Sequence, residues 1–118
     1  MNLGFIGTGE ITKAVVTGIL ASKIKYKSIL LSKRNLKISS SLKKKSSKIK
    51  ILDNNQDIIN KSNWIFLSIT PNVGKKIIKD LKFKKNQIII SFISTIKLNE
   101  LKKYIKTKNI IVRAIPLP

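Results

Sequence analysis

Short apolar runs alternate with polar stretches of helical spacing from one end of the chain to the other. Leu3–Ile6 reads as a buried strand closed by Gly7. Ile11, Ala14, Val15, Gly18 and Ile19 then recur on one helical face and predict a helix from about Glu10 to Ala21. Further strands are expected at Ser28–Ser32, Ile49–Leu52, Trp64–Ile69, Gln87–Ile93 and Asn109–Ile115. Helices are expected at Asn55–Lys61, Val73–Leu81 and Leu98–Ile105. Each has a polar starter: Asp53 or Asn55, then Asn72, then Thr95. Leu36–Ser47 carries the weakest pattern, because its serines and lysines leave few residues to bury.

Strands that are apolar on both faces and alternate with helices indicate an α/β fold with a parallel sheet covered on both sides. Right-handed crossovers wind six such strands into a doubly wound Rossmann sheet of order 3-2-1-4-5-6. With 118 residues the chain has room for one domain, read as residues 1–118, and too little for two. No internal repeat or long linker divides it.

An apolar fraction of 42% argues against disorder. The chain has neither Cys nor His, which excludes disulfides, thiolate zinc sites and histidine catalysis. No basic segment leads into an apolar signal core, and the longest apolar runs cannot span a bilayer. The expectation is a reduced, cytoplasmic setting without a membrane partner. The net charge of +20 raises the possibility of a nucleic-acid partner. Of the 25 basic residues, however, only Arg34 and Arg113 are Arg, and the lysines are scattered over nearly every segment. Aromatic residues are few, so stacking platforms are poorly supplied. Compositional bias therefore ranks ahead of nucleic-acid binding, and the charge should make any anionic ligand bind in a salt-sensitive way.

The chemistry begins at Gly7-Thr8-Gly9, between the first strand and the first helix. In a dinucleotide fold the first glycine makes the turn, the second admits the pyrophosphate, and a third small residue lets helix and strand pack closely. Gly7 and Gly9 fill the first two places, while Thr12 stands at the third. The helix starting near Glu10 would offer unpaired amides and a favourable dipole to the pyrophosphate. A plain tight corner is the competing reading. NAD-binding versions place an acid at the end of the second strand, but here that end reads Leu31-Ser32-Lys33-Arg34-Asn35. Ser32, Lys33 and Arg34 suit a 2′-phosphate, Arg34 best by its planar fork, so NADP(H) is preferred over NAD(H). Ordinary solvated turn residues are the alternative.

In order and with similar spacings, "GFIGTGEITKAVVTGIL", "ILLSKRN", "NQDIINKSNWIFLSITPN", "IIISFISTIKLNELKKYI" and "IIVRAIPLP" resemble the N-terminal cofactor domain of pyrroline-5-carboxylate reductases. The resemblance covers essentially the whole chain. It implies hydride transfer from NAD(P)H to an imine such as pyrroline carboxylate, forming proline, in a dimer or larger oligomer. It also implies that Gly7, Thr8, Gly9, Glu10 and Ile11 line the diphosphate loop. Ser32, Lys33 and Arg34 would meet the adenosine phosphate. Asn55 falls where the family contacts the cofactor ribose, a role compatible with helix capping. Ser68, Ile69, Thr70 and Pro71 match the loop beside the cofactor, and Ser94 and Thr95 a segment near the nicotinamide.

Three departures qualify what the resemblance implies. Thr70 replaces a lysine of the family's Val-Lys-Pro, and Ala114-Ile-Pro-Leu-Pro118 lacks the Asn-Thr of its Met-Pro-Asn-Thr-Pro. The family's C-terminal helical domain, which forms the dimer and much of the substrate pocket, has no counterpart here. A small imine substrate is expected only where a second domain is supplied, and no oligomer is expected of this domain alone. The five acids, Glu10, Asp53, Asp57, Asp80 and Glu100, form no general-acid pair and no metal site. Asp53 and Asp57 read as helix-capping residues, and no catalytic residue is nominated. Besides the oxidoreductase reading, a non-catalytic dinucleotide-binding regulatory domain and, behind it, a basic nucleic-acid binder stay open.

Overall fold

The computed structural model describes residues 1–115; the final residues Pro116-Leu-Pro118, compared above with the family's Asn-Thr-Pro, lie outside them. Six strands form one sheet of order β3-β2-β1-β4-β5-β6 with every pairing parallel, the doubly wound arrangement expected. In chain order β1 is Asn2–Ile6, α1 Glu10–Ala21, β2 Ser28–Ser32 and α2 Leu36–Lys43. They are followed by β3 Ile49–Leu52, α3 Asn55–Lys61, β4 Trp64–Leu67 and α4 Pro71–Asp80. The last elements are β5 Ile88–Ser91, α5 Leu98–Ile105 and β6 Ile110–Arg113.

Alternation along the central strands divides the core into two layers. Leu3 and Phe5 point to one face, where Val16 and Ile19 of α1 and Leu42 of α2 cover them. On that face Phe5 stacks on Phe66 with ring centroids 4.5 Å apart. Ile6, Ile65 and Leu67 meet α3, α4 and α5 on the other face, through Ile58, Ile59, Ile78, Leu101 and Ile105. Gly4 belongs to this second face, and there its lack of a side chain is a packing requirement. A methyl group at Gly4 would overlap Ser62 Oγ and stand 2.7 Å from Ile58 Cγ2, so α3 could not lie as close to β1.

Several boundaries and caps differ from expectation. β4 ends at Leu67 and not Ile69, because β1 leaves the ladder at Gly7: the Ser68 N–H makes the last bond to β1, on the Ile6 carbonyl. α4 begins at Pro71, which has no N–H to lose at the first helical position; the cap is Thr70, and Asn72 lies inside the first turn. α5 is preceded by Lys97 without a side-chain cap, not by Thr95. For α3 the cap is Asn54, whose Oδ1 accepts from Asp57 N–H at 2.8 Å. Neither Asp53, Asp57 nor Asn55 caps with its own side chain: Asp53 pairs with Lys33 at 3.5 Å, and Asn55 is the first helical residue. β5 and β6 are each shorter than their apolar runs. Only the inner strands are buried on both faces, since β3 and β6 are edges with exposed Lys50, Ile110 and Val112. The stretch with the weakest pattern is helical over Leu36–Lys43, capped by Asn35 Oδ1 and anchored by fully buried Leu42 and Ser39.

Candidate functional site

β1 and β4 are neighbours, but their following helices go to opposite faces of the sheet. Their carboxyl ends therefore part around a crevice, the place where doubly wound sheets bind ligands. The glycine turn stands in this crevice. Gly7 has φ +98°, a conformation that L side chains rarely adopt, and a Cβ there would come within 2.6 Å of the Ser68 carbonyl oxygen. Gly9 is different: a Cβ there meets nothing within 4 Å, because the residue faces the open cleft. Gly9 is also the N-cap of α1 and offers no side-chain acceptor. The first amides of α1 are thus left to an incoming anion, whereas Asn35 and Asn54 cap α2 and α3.

Two hydroxyl pairs hold the turn in place. Thr8 Oγ1 donates to the Ser32 carbonyl at 2.8 Å and lies 2.7 Å from Ser32 Oγ, joining the turn to the end of β2. Thr12 Oγ1 donates to the Gly7 carbonyl at 2.9 Å and meets Ser68 Oγ at 2.6 Å, joining it to the end of β4. All four hydroxyls are at least partly buried. The imperfect third position of the glycine fingerprint is therefore a tie: Thr12 is fully buried, and its hydroxyl satisfies a carbonyl of the turn itself.

Two adjoining clefts open on the turn. The first, about 420 Å³, is lined by Gly7–Gly9, Arg34, Asn35, Leu36 and Ser68–Thr70. The second, about 350 Å³, shares Gly9 and Ser68–Thr70 and adds Glu10, Ile11, Pro71, Phe92, Ile93 and Ser94. Of the residues singled out from the sequence, the structure thus gathers Gly7, Thr8, Gly9, Glu10, Ile11, Arg34, Ser68, Ile69, Thr70, Pro71 and Ser94. Four stand apart from the lining. Ser32 is buried beneath Thr8, Lys33 faces Asp53, Asn55 opens α3, and Thr95 is exposed beyond Ser94. Asn35 and Leu36 were not anticipated. Leu36 is 59% exposed at the rim of the first cleft, a large apolar surface suited to a planar ring. Its signal was a lone apolar residue directly after Arg34-Asn35, in a stretch otherwise too polar to assign.

The arrangement suits a long anionic ligand with a phosphate at one end. Main-chain amides sit at its middle, a guanidinium and an apolar rim on one side, and a mostly apolar second cleft on the other.

Residues 2–95 match the family described as NADP oxidoreductase, coenzyme F420-dependent. The chain belongs to this family. Within it, the chain is similar to the nucleotide-binding domain of pyrroline-5-carboxylate reductases, as the sequence resemblance implied. It is 26% identical over 104 residues to the Arabidopsis thaliana pyrroline-5-carboxylate reductase, covering 86% of this chain and 38% of that protein. It superposes on a Coxiella burnetii pyrroline-5-carboxylate reductase with a TM-score of 0.85 at 22% identity, covering 99% of this chain and 44% of the other. The Plasmodium falciparum pyrroline carboxylate reductase, solved with NADP bound, gives a TM-score of 0.80 at 19% identity, covering 98% and 42%. The chain therefore spans about two fifths of the length of these relatives. Membership of this family makes it an oxidoreductase-type dinucleotide-binding domain. Among the described residues, no helix is long and apolar enough to cross a membrane.

Proposed function

We propose that this chain is the NADP(H)-binding domain of a pyrroline-5-carboxylate reductase-type oxidoreductase. The observation that carries the reading is the pair Gly7 and Gly9. One is locked by a positive φ against Ser68, and the other opens on a cleft at the switch point. The pyrophosphate lies over Gly9 on the amides of Glu10 and Ile11, with Thr8 and Thr12 holding the turn rigid from below. Arg34 takes the 2′-phosphate by its planar fork, with Leu36 against the adenine. Lys33 adds positive charge from outside the lining, where it pairs with Asp53, and Ser32 acts through its bond to Thr8. Asp53, at the end of β3, pairs with Lys33 at the surface, and no carboxylate lines the first cleft, which disfavours an NAD-type contact to the ribose hydroxyl. Asn55 serves the adjoining ribose. Ser68–Pro71, Ser94 and Thr95 flank the nicotinamide end. When bound, the cofactor supplies a hydride, and the protein's part is orientation and electrostatics.

The substrate is a small imine of the pyrroline carboxylate class, reduced where the remaining part of such an enzyme completes the pocket. Titration of NADPH and NADH by nucleotide fluorescence at low salt tests the binding claim. Saturable NADPH binding at least tenfold tighter than NADH is expected. Equal affinities overturn the role of Arg34, and no binding of either overturns the reading.

A further inference from the structure

Helices joining parallel strands run back against them, so every helix-to-strand loop lies at the edge of the sheet opposite the glycine turn. Those five loops, residues 22–27, 44–48, 62–63, 81–87 and 106–109, hold eleven lysines and no carboxylate, and all eleven are exposed. The five strand-to-helix loops at the other edge hold only Lys33, Arg34 and Lys97, against Asp53. Glu10, Asp57 and Glu100 occupy first turns of helices at that same nucleotide edge. This leaves Asp80, at the end of α4, as the one carboxylate toward the lysine edge. Helix dipoles do not account for the excess: Lys43, Lys61, Lys79, Lys102 and Lys103 occupy last turns, and of the eleven loop lysines only Lys44 and Lys106 are helix C-caps. A uniform lysine bias would load both edges alike. Dispersed along the chain, these lysines are collected by the fold.

The edge is also concave. Two clefts of about 410 and 300 Å³ flank the C-terminal end of α3 and share Asn2 and Lys61. Lys27, Lys48 and Lys50 line the first, and Lys84 and Lys85 the second. We propose that this edge binds the phosphate backbone of a nucleic acid without reading its sequence. A chain of regularly spaced phosphates can run through both clefts past Lys61, whereas a single small anion would fill one and leave the lysines of the other uncompensated. Lysine supplies point charges and no planar fork, and Tyr26, the aromatic beside the first cleft, already has the Lys48 ammonium 5.1 Å over its ring. The interaction is therefore backbone-directed and indifferent to base. The exposed Ile24 between Lys23 and Lys25 makes an anionic bilayer the competing occupant, but a flat surface reaches only the rims of the clefts.

The test is fluorescence anisotropy with labelled 20-nucleotide single strands of unrelated sequence, at several salt concentrations spanning the physiological value. Equal affinities for the unrelated sequences and a steep log–log salt slope are expected. Changing Lys27, Lys48, Lys61 and Lys85 together to Gln should reduce the magnitude of that slope by about 3 and weaken binding at least about tenfold. Changing Lys13, Lys37, Lys76 and Lys97 to Gln removes the same charge from elsewhere and should leave the slope within about 1. Equal losses in both variants, or binding that vanishes at physiological salt, overturn the proposal. Binding to phosphatidylserine vesicles without binding to oligonucleotides also overturns it. Acetylation of the unmodified protein, read by mass spectrometry, keeps the test independent of variant folding. The oligonucleotide should protect Lys27, Lys48, Lys61 and Lys85, and protection spread over all lysines contradicts the assignment.

Discussion

Gly7 and Gly9 stand two residues apart and respond to substitution for different reasons. Gly7→Ala places a methyl at positive φ and drives it into the Ser68 carbonyl, which should cost about 3 kcal/mol in urea unfolding. Gly9→Ala meets open space at an ordinary φ of −114°, so it should cost about 1 kcal/mol or less. Yet its methyl would occupy the approach proposed for the pyrophosphate, and NADPH affinity should fall by at least about tenfold. A stability loss at Gly9 equal to that at Gly7 would mean that the cleft is not open there. Thr12→Val keeps the shape and deletes a hydroxyl that serves Gly7 and Ser68. The expected loss is about 1–2 kcal/mol, together with weaker nucleotide binding as the turn loosens. Arg34→Gln leaves stability alone, and it should lower NADPH affinity about tenfold while NADH affinity stays unchanged. Isothermal titration with both nucleotides reads this directly.

At the scale of elements, the close approach of α3 to β1 rests on Gly4, and Gly4→Ala should cost about 2 kcal/mol through overlap with Ser62 and Ile58. Adding Ser62→Gly should recover part of that loss. α4 and α5 are linked by Lys75 and Glu100, 3.4 Å apart. The hydrogen bond from Lys75 holds the Glu100 carboxyl below its ordinary value near 4.5. Its contribution to stability is thus present above that value and lost as pH falls through the lowered folded one. Glu100→Gln should flatten the acid side of the stability profile, as monitored by circular dichroism from pH 6 to pH 3. The strand and helix order was legible in the chain because each inner strand is a run of Ile, Leu and Phe between turn residues. Element ends were less legible: apolarity continues through Ile69 and Ile93, which stay buried after the ladder has turned away. α2 was faint because two residues, Ser39 and Leu42, supply its fully buried contacts. In the candidate site, Gly7 and Gly9 stood out by their spacing and Arg34 by its place after the second strand, where an acid is missing. The Thr8–Ser32 and Thr12–Ser68 ties were not, since they join residues 24 and 56 positions apart.

At the scale of the whole molecule, the fold gives its two edges different electrostatic characters. Helix starts gather Glu10, Asp57 and Glu100 near the edge of the glycine turn, and the returning loops carry the lysines to the opposite one. A protein of net charge +20 should bind any dinucleotide more weakly as salt rises, and NADPH, with its extra phosphate, should lose more affinity than NADH. Titrations at low and physiological salt check this, and a salt-independent affinity would place the ligand away from the charged rim. The most direct measurement is amide chemical-shift mapping of the isotopically labelled protein during titration with NADPH. Saturable shifts should concentrate at Gly7–Ile11, Arg34–Leu36 and Ser68–Thr70, with the helix-to-strand loops unmoved. Shifts confined to those lysine loops, or no saturable shifts at all, would contradict a cofactor site at the glycine turn.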